Sequence, residues 1–188
     1  MPAERSDEEL ATRAARGDAS AFETLVLRYQ RPLINFAYRM LGDADDAADV
    51  AQQTLVQAYV HLPRARLDLP FRPWLYRIAR NQCIDRLRDR RAIALPDDEE
   101  NDGSSVAELV PDPDPLPDEL LEREDLQRLL AAAIGELPER YRAVVTMRYV
   151  TDLTFAEIGE ALGIPENTVK TFFQRAKARL RERLRAAL

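Results

Sequence analysis

Residues 95–117 cannot belong to a packed core, and they divide the chain into two parts. The stretch holds five prolines among clustered acidic side chains (Pro96, Pro111, Pro113, Pro115 and Pro117). Such a composition buries too little apolar surface to offset the entropy lost on folding, so we expect it to stay extended and flexible. We therefore predict two small domains, over residues 1–92 and 118–188, joined by an acidic, proline-rich linker at 93–117.

The net charge changes sign along the chain. Taken whole, 27 basic and 33 acidic side chains give a net charge of −6, which argues against contact with nucleic acid. Counted by segment, residues 1–92 carry +2, residues 93–125 carry −12 and residues 126–188 carry +4. The acidity therefore belongs to the central stretch, and both flanking domains keep a basic balance that suits DNA.

The composition leaves little for catalysis or metal binding. The sequence has one cysteine, Cys83, and one histidine, His61. A single cysteine excludes an internal disulfide and a multi-cysteine zinc site. Because no nucleophile–base set, carboxylate pair or phosphate-binding glycine loop stands out, we expect no enzymatic activity, catalytic residue, metal or cofactor. No apolar run approaches about 18 residues and the N-terminus lacks an apolar signal core, so we predict a cytoplasmic chain without a membrane span.

Apolar side chains recur at helical spacing in both domains, and no segment is typical of a strand. The predicted fold class is therefore all-α. Ser6, Asp18 and Asp43 are suited to cap successive helices, and we expect Pro32 to kink or restart the second of them. A long helix follows at about 72–91, on which we interpret Cys83 as a small apolar packing residue.

The C-terminal domain has the pattern of a helix-turn-helix. Thr154-Phe-Ala-Glu157 has capping-box form, and Gly163-Ile-Pro165 separates this short helix from a long one over about 166–186. The second helix of such a motif presents its N-terminal residues to base edges in the major groove. We predict that Asn167, Thr168, Lys170 and Thr171 face outward there, and that the basic residues from Lys170 to Arg185 suit phosphate contact. The alternative is a helical hairpin with a solvated basic face.

Aromatic and basic residues alternate in the N-terminal domain from Phe71 to Asn81. Residues 64–91 hold nine arginines and three acids, a mixture that suits stacking and backbone contact with single-stranded DNA. Trp74 shares a helical face with Leu75 and Ile78, so we favour a core position for it. Six residues are interpreted as a solvent or ligand surface: Tyr76, Arg77, Arg80, Asn81, Asp85 and Arg88. The helix before this segment is polar and acidic, which favours either a solvated face or a basic protein partner.

Two stretches resemble bacterial RNA polymerase sigma factors of the extracytoplasmic function (ECF) group within the sigma-70 family. Asp49-Val-Ala-Gln-Gln-Thr-Leu55 and the segment from Phe71 to Leu87 are similar to the promoter-melting domain of these proteins. The segments 137–145 and 153–170 are similar to the domain that binds the upstream promoter element. The resemblance covers about residues 7–92 and 118–186, in the family's order.

The resemblance implies partners and roles that composition does not. It implies binding to the clamp helices and flap of core RNA polymerase, to duplex and single-stranded promoter DNA, and to an anti-sigma factor. The clamp-binding positions are Asp49, Gln52 and Gln53. The residues implied at the minus-10 element are Arg64, Arg66, Arg80, Asn81 and Asp85, within a region that includes the loop up to Pro70. Those implied at the minus-35 element are Asn167, Thr168, Lys170, Thr171, Phe172 and Arg175. The linker is implied to run toward the active-site cleft and the RNA exit path.

Three positions depart from the family's pattern. Gln53 stands where an acid is usual, Leu55 where phenylalanine is usual, and Phe172 where a basic residue is common. Since Phe172 follows Val169 by three residues, it is expected either half-buried or against a thymine methyl group. Two rival functions also remain: a stand-alone helix-turn-helix regulator with a helical sensor domain, and a helical adaptor or anti-sigma-like protein.

Overall fold

Eight α-helices form two domains in the part of the chain that the computed structural model describes, residues 5–65, 70–93 and 124–187. The N-terminal domain contains α1 (Asp7–Ala15), α2 (Ala19–Leu41), α3 (Ala44–His61), a 3-10 turn (Leu62–Arg64) and α4 (Phe71–Ile93). The C-terminal domain contains α5 (Glu124–Gly135), α6 (Glu139–Val150), α7 (Phe155–Leu162) and α8 (Glu166–Ala187). The all-α, two-domain prediction is confirmed. Apart from Ile93, the predicted linker lies outside the described residues.

Side-chain caps begin the first three helices where the sequence predicts them. The side chains of Ser6, Asp18 and Asp43 each accept a hydrogen bond from the backbone N–H three residues later, at 3.2, 3.1 and 2.9 Å. Hydrogen bonds from Ser20 and Arg13, and from the N–H of Ala21, hold the pKa of the Asp18 carboxyl down at about 2. Each cap satisfies a donor that has no partner within its helix, which typically contributes about 1 kcal/mol.

Pro32 lies inside α2 without ending it, so of its two expected effects the restart of the helix is wrong and the kink stays a prediction. Proline in a helix interior removes one hydrogen bond and costs about 3 kcal/mol. Tyr29, Leu33 and Phe36 on either side of it are at most 5% exposed. Burial of one large apolar side chain is worth about 1.5–3 kcal/mol, so together these contacts outweigh the cost of the proline.

An aromatic cluster between α2 and α4 forms the centre of the N-terminal domain. The ring centroid of Tyr76 lies 5.3 Å from that of Phe36 and 6.4 Å from that of Tyr29, which in turn lies 5.6 Å from Phe71. The interpretation of Tyr76 as a surface residue is therefore wrong. Tyr76 shares the inward stripe of α4 with Ala79 and Cys83, and burial raises its pKa to about 12.

Cys83 is fully buried, and its predicted role as a small apolar packing residue is confirmed. Burial raises the pKa of its thiol to about 12, so almost no thiolate is present near neutral pH. We expect a chromogenic disulfide reagent to leave Cys83 unmodified in the native chain at pH 8 and to react with it in urea. Equal labelling rates with and without urea would contradict this burial.

In the C-terminal domain, α5, α6 and α7 all pack against α8, and the domain also contacts the N-terminal domain. Tyr141, Val144 and Met147 of α6 are buried, as are Val169 and Phe173 of α8. Between the domains, α2 packs on α5 and α6, while α4 packs on α6 and α7. The helix expected to bind single-stranded DNA, α4, thus lies against the helix-turn-helix domain.

Candidate nucleic-acid and polymerase interface

A capping box begins α7, and a left-handed glycine with a close backbone approach forms the turn between α7 and α8. Thr154 accepts from the N–H of Glu157 at 3.2 Å, and the Glu157 carboxylate accepts from the N–H of Thr154 at 2.8 Å. Gly163 ends α7 with φ 68°, which a residue without a side chain adopts at least cost. The N–H of Ile164 then donates to the carbonyl of Gly159 at 3.0 Å, which fixes where α8 starts.

The first two turns of α8 expose a polar face. Asn167, Lys170 and Thr171 are exposed, and Thr168 and Arg175 are half-exposed. Lys170 Nζ lies 2.8 Å from a carboxylate oxygen of Glu166 one turn earlier. The Thr171 hydroxyl donates to the carbonyl of Asn167 at 2.9 Å. The end of α8 next to the turn therefore presents donors and acceptors of the kind that read base edges.

Phe172 does not share this polar face. Its ring packs edge-on against Tyr141 of α6, with the ring centroids 5.4 Å apart. The guanidinium carbon of Arg140 lies 5.2 Å from the Tyr141 ring centroid and 5.6 Å from that of Phe172. Of the two states expected for Phe172, the structure therefore shows the half-buried one. No local pattern in the sequence points to Arg140 as a neighbour of Phe172, because it lies on a different helix, 32 positions away.

The basic side chains further along α8 do not form one phosphate-binding face. Lys177 is 5% exposed, with its ammonium nitrogen 5.9 Å from the ring centroid of Phe173. Arg179 lies over the ring of Tyr141, and Arg183 pairs with Glu136, just after α5, at 2.8 Å. The expectation that this whole run is suited to phosphate contact is too broad, because part of it packs within the domain.

The residues implied at the minus-10 element are dispersed over the N-terminal domain. Arg64 is exposed in the 3-10 turn after α3, and Asn81 and Asp85 are exposed on α4. Arg80 is half-buried, and its Nη1 donates to the side-chain oxygen of Asn81 at 3.1 Å. Arg66 lies outside the described residues.

Two arginines of α4 pair with acidic side chains of α3. Arg86 lies 3.4 Å from Asp46 and 3.5 Å from Asp49 of α3, and Arg90 also pairs with Asp46. These pairs are partly exposed and each contributes little to stability. They show that the acidic helix and the basic helix partly neutralise each other, a long-range pairing that periodicity alone does not reveal.

The implied polymerase-binding residues share one exposed face of α3. Asp49, Gln52 and Gln53 are all exposed, and the side chain of Asp49 is 62% accessible. Gln52 also lines a groove of about 570 Å³ between α2 and α3, whose other walls are mainly apolar. Leu55, one of the departures from the family pattern, is a half-buried wall of this groove. The face thus combines polar groups with apolar surface, as protein interfaces do.

Comparison with known proteins identifies both halves of the chain. The family description "Sigma-70 region 2" matches residues 25–93, and "Sigma-70, region 4" matches residues 127–180. The ECF RNA polymerase sigma factor SigW of Bacillus subtilis is 35% identical over 172 residues, covering 90% of this chain and 92% of SigW. The chain belongs to the sigma-70 family. Sigma factors of this family are non-enzymatic transcription initiation factors, and this one is an ECF sigma factor.

Another relative and two solved structures match between 87% and 100% of this sigma factor. The RNA polymerase sigma-H factor of Pseudomonas aeruginosa is 31% identical, covering 100% of this chain and 98% of that protein. The structure of CnrH in complex with the cytosolic domain of CnrY is similar, with a TM-score of 0.72, 29% identity and coverage of 96% of this chain and 97% of that chain. The sigma factor RpoE of Bartonella quintana shares the fold, with a TM-score of 0.65, 23% identity and coverage of 87% and 96%.

These matches decide between the functions that the sequence leaves open. A stand-alone helix-turn-helix regulator accounts for α7 and α8 but not for a region 2 match over 25–93. An adaptor without DNA-binding activity accounts for neither region.

Among the helices of residues 5–65, 70–93 and 124–187, none has an apolar stretch long enough to span a membrane.

Proposed function

We propose that this sigma factor binds core RNA polymerase, recognises promoters through a minus-35 and a minus-10 element, and helps to melt the DNA. The observation that carries the proposal is the order of two matched regions in one chain, each with an exposed polar face. A polymerase-dependent factor needs one surface for the enzyme and two for DNA. The exposed polar residues of α3, of α4 and of the start of α8 supply these three surfaces. We infer that initiation takes place in the cytoplasm and needs no catalytic group from this chain.

Docking on polymerase is assigned to α3. Asp49, Gln52 and Gln53 are proposed to contact the clamp helices of the largest subunit, with the C-terminal domain on the flap. The exposed carboxylate of Asp49 favours a partner of opposite charge, and the neighbouring groove adds apolar area. Gln53 supplies hydrogen bonds but no charge where the family usually has an acid, so the electrostatic part of docking depends more strongly on Asp49.

Melting is assigned to α4 and the loop before it. Arg64, Arg66, Arg80, Asn81 and Asp85 are proposed to hold a flipped base and the non-template strand of the minus-10 element. Extruding a base costs about a few kcal/mol of stacking and pairing energy. Contacts from guanidinium groups to phosphates and from polar side chains to base edges offset that cost only on the open strand, and so favour melting.

Recognition of the minus-35 element is assigned to the first half of α8. Asn167, Thr168, Lys170, Thr171 and Arg175 are proposed to contact the major groove. The resemblance groups Phe172 with them, but its packing on Tyr141 favours a role in holding α8 against α6. Contacts with base edges from this part of α8 then come from the other five residues.

Lys170→Glu is expected to weaken promoter binding about tenfold or more and to leave polymerase binding unchanged. The substitution replaces a cation near DNA with an anion, and a contact of this kind is worth about 1–3 kcal/mol. Within the helix it also places a second carboxylate one turn from Glu166, which costs only about 0.2–0.5 kcal/mol. Arg31→Glu, the same charge change at an exposed arginine of α2 outside the assigned DNA-binding residues, is the control and should leave promoter binding unchanged. Equal loss of promoter and polymerase binding in Lys170→Glu would point to misfolding instead.

The proposed function is tested directly by run-off transcription. Purified core polymerase and a pool of genomic fragments are incubated with and without the sigma factor, and the transcripts are sequenced. We expect new start sites that share two upstream elements and that depend on the added chain. If no start depends on it, the proposed function is wrong.

An anti-sigma factor is proposed as the regulatory partner. CnrH and the Bartonella quintana RpoE were both solved in complex, with CnrY and with the anti-sigma factor NepR respectively. The domain limits at 1–92 and 118–188 and the passage of the acidic linker at 93–117 along a basic polymerase channel are part of the same proposal.

A further inference from the structure

The ring of Phe172 borders the face of α8 that is assigned to the minus-35 element. Thr168 lies four residues before Phe172 and Arg175 lies three residues after it, and side chains at these spacings are neighbours on a helix surface. All three side chains are half-exposed. Phe172 therefore lies between the packed core and the polar face, in one stripe with two of the assigned DNA-binding residues.

Arg140 reaches this border from the first turn of α6. Its guanidinium carbon lies over the rings of Tyr141 and Phe172, 5.2 and 5.6 Å from their centroids. Both distances are within the range of about 6 Å over which a ring face attracts a cation. Arg140 is exposed, so its charge is held in place by the rings and stays at the surface. A guanidinium group that stacks through its face still presents N–H donors along its edges.

Arg179 places a second cation on the same pair of rings. It follows Phe172 by seven residues, about two turns along α8, and its guanidinium carbon lies 5.2 Å from the ring centroid of Tyr141. Arg179 is exposed, whereas Tyr141 is buried. Together with Arg175, the two stacked arginines give this edge of the minus-35 face three positive charges from two different helices.

This arrangement bears on the departure at position 172. A basic residue is common there in the family, and this chain has phenylalanine instead. Basic side chains beside a recognition helix bind phosphate oxygens, and such contacts fix the register of the helix on the duplex without reading its sequence. The guanidinium group of Arg140 lies against the Phe172 ring, close to where a basic side chain at position 172 would begin.

We propose that Arg140 binds a phosphate of the minus-35 duplex and replaces, from α6, the cation that α8 lacks at position 172. The inference rests on the proposed function, in which α8 reads the minus-35 element. Phe172 is a positioning residue in this arrangement, because its ring holds the guanidinium group beside the DNA-binding face and makes no base contact itself. The chain thus keeps a backbone contact at this edge although its recognition helix does not supply the charge.

Arg140→Gln tests the phosphate contact. Core polymerase carrying the parent or the variant chain is titrated with promoter fragments recovered by run-off transcription, at several salt concentrations. We expect about tenfold weaker binding, the effect of losing one charge-assisted hydrogen bond. The slope of log K against log salt concentration should fall by about 0.9, the contribution of one phosphate contact. Arg31→Gln, the same change at an exposed arginine of α2, should alter neither quantity.

Phe172→Leu tests the positioning role. Leucine keeps apolar packing against Tyr141 but offers no ring face to Arg140, so binding should weaken by about two- to fivefold. In the Arg140→Gln background the same substitution should cause no further loss, because the group that the ring positions has been removed. Thermal unfolding by circular dichroism checks that the variants stay folded. An equal loss in both backgrounds would mean that the ring acts through packing alone, and would refute the positioning role.

The outcomes separate this inference from the proposed function. If the parent binds the fragments and Arg140→Gln binds equally well with the same salt slope, Arg140 contacts no phosphate and the inference is wrong. A loss restricted to particular minus-35 sequences would also contradict it, because a phosphate contact should weaken binding to all of them alike. If the parent chain confers no binding on core polymerase for any fragment, the proposed function fails and the inference fails with it.

Discussion

Asp49→Arg is expected to raise the dissociation constant for core polymerase by about 100-fold or more, which corresponds to about 2.7 kcal/mol. Asp49 projects from the exposed face of α3, with 62% of its side chain accessible. The proposed docking requires a basic partner surface opposite Asp49, and placing a guanidinium group against it creates a like-charge juxtaposition that costs several kcal/mol. A pull-down with tagged core polymerase, followed by titration of the labelled sigma factor, measures the change.

The fold should tolerate this substitution. Arg86 loses Asp49 as a neighbour but keeps Asp46 at 3.4 Å, and exposed ion pairs contribute about 0–1 kcal/mol. Asp45→Arg is the matched control, since Asp45 is an exposed acid in the first turn of the same helix, outside the assigned docking set. Polymerase binding by Asp49→Arg that equals binding by the parent chain would refute the docking assignment.

Gly159→Ala is expected to destabilise the C-terminal domain by about 1–3 kcal/mol, the usual cost of overpacking a tight site. A Cβ atom on Gly159 would lie 2.8 Å from the carbonyl oxygen of Ile164, and backbone cannot move aside as a flexible side chain does. The turn that sets the start of α8 must shift, so promoter binding should fall together with stability. Thermal unfolding followed by circular dichroism should show a melting temperature lower by several degrees.

Gly135→Ala provides a control with the same chemical change. Gly135 is the last residue of α5, and a Cβ atom there would meet nothing within 4 Å. Alanine also restricts the unfolded chain more than glycine does, so this variant should be neutral or slightly more stable. If both variants unfold at the same temperature, close packing at Gly159 is not what holds the turn.

Most of the secondary structure could be predicted because its signals are local. The caps at Ser6, Asp18 and Asp43, and the capping box from Thr154 to Glu157, depend on residues three positions apart. The same holds for the helix-turn-helix, whose glycine, proline and apolar spacing are contiguous. Pro32 is the exception, since the packing of the whole helix outweighs its local effect.

Whether a residue lies in the core or at the surface was harder to predict. Tyr76 is interleaved with arginines in the sequence, yet its ring packs against Phe36 between α4 and α2. Lys177 lies in a basic run, yet it is buried with its ammonium group near the ring of Phe173. In both cases the choice between core and surface depends on which remote helix covers that stripe, and no local pattern carries this information.

By itself, the sequence determined the helical class, the division around the acidic stretch, the turn before α8 and the resemblance to ECF sigma factors. These depend on composition, on helical spacing and on short motifs. Only the tertiary structure decided that Phe172 packs on Tyr141, that α3 and α4 share ion pairs, and that Arg77 caps the end of α7. The physical reason is that burial and hydrogen-bond partners are properties of pairs of surfaces, and in these three examples the two members lie up to 84 residues apart in the chain.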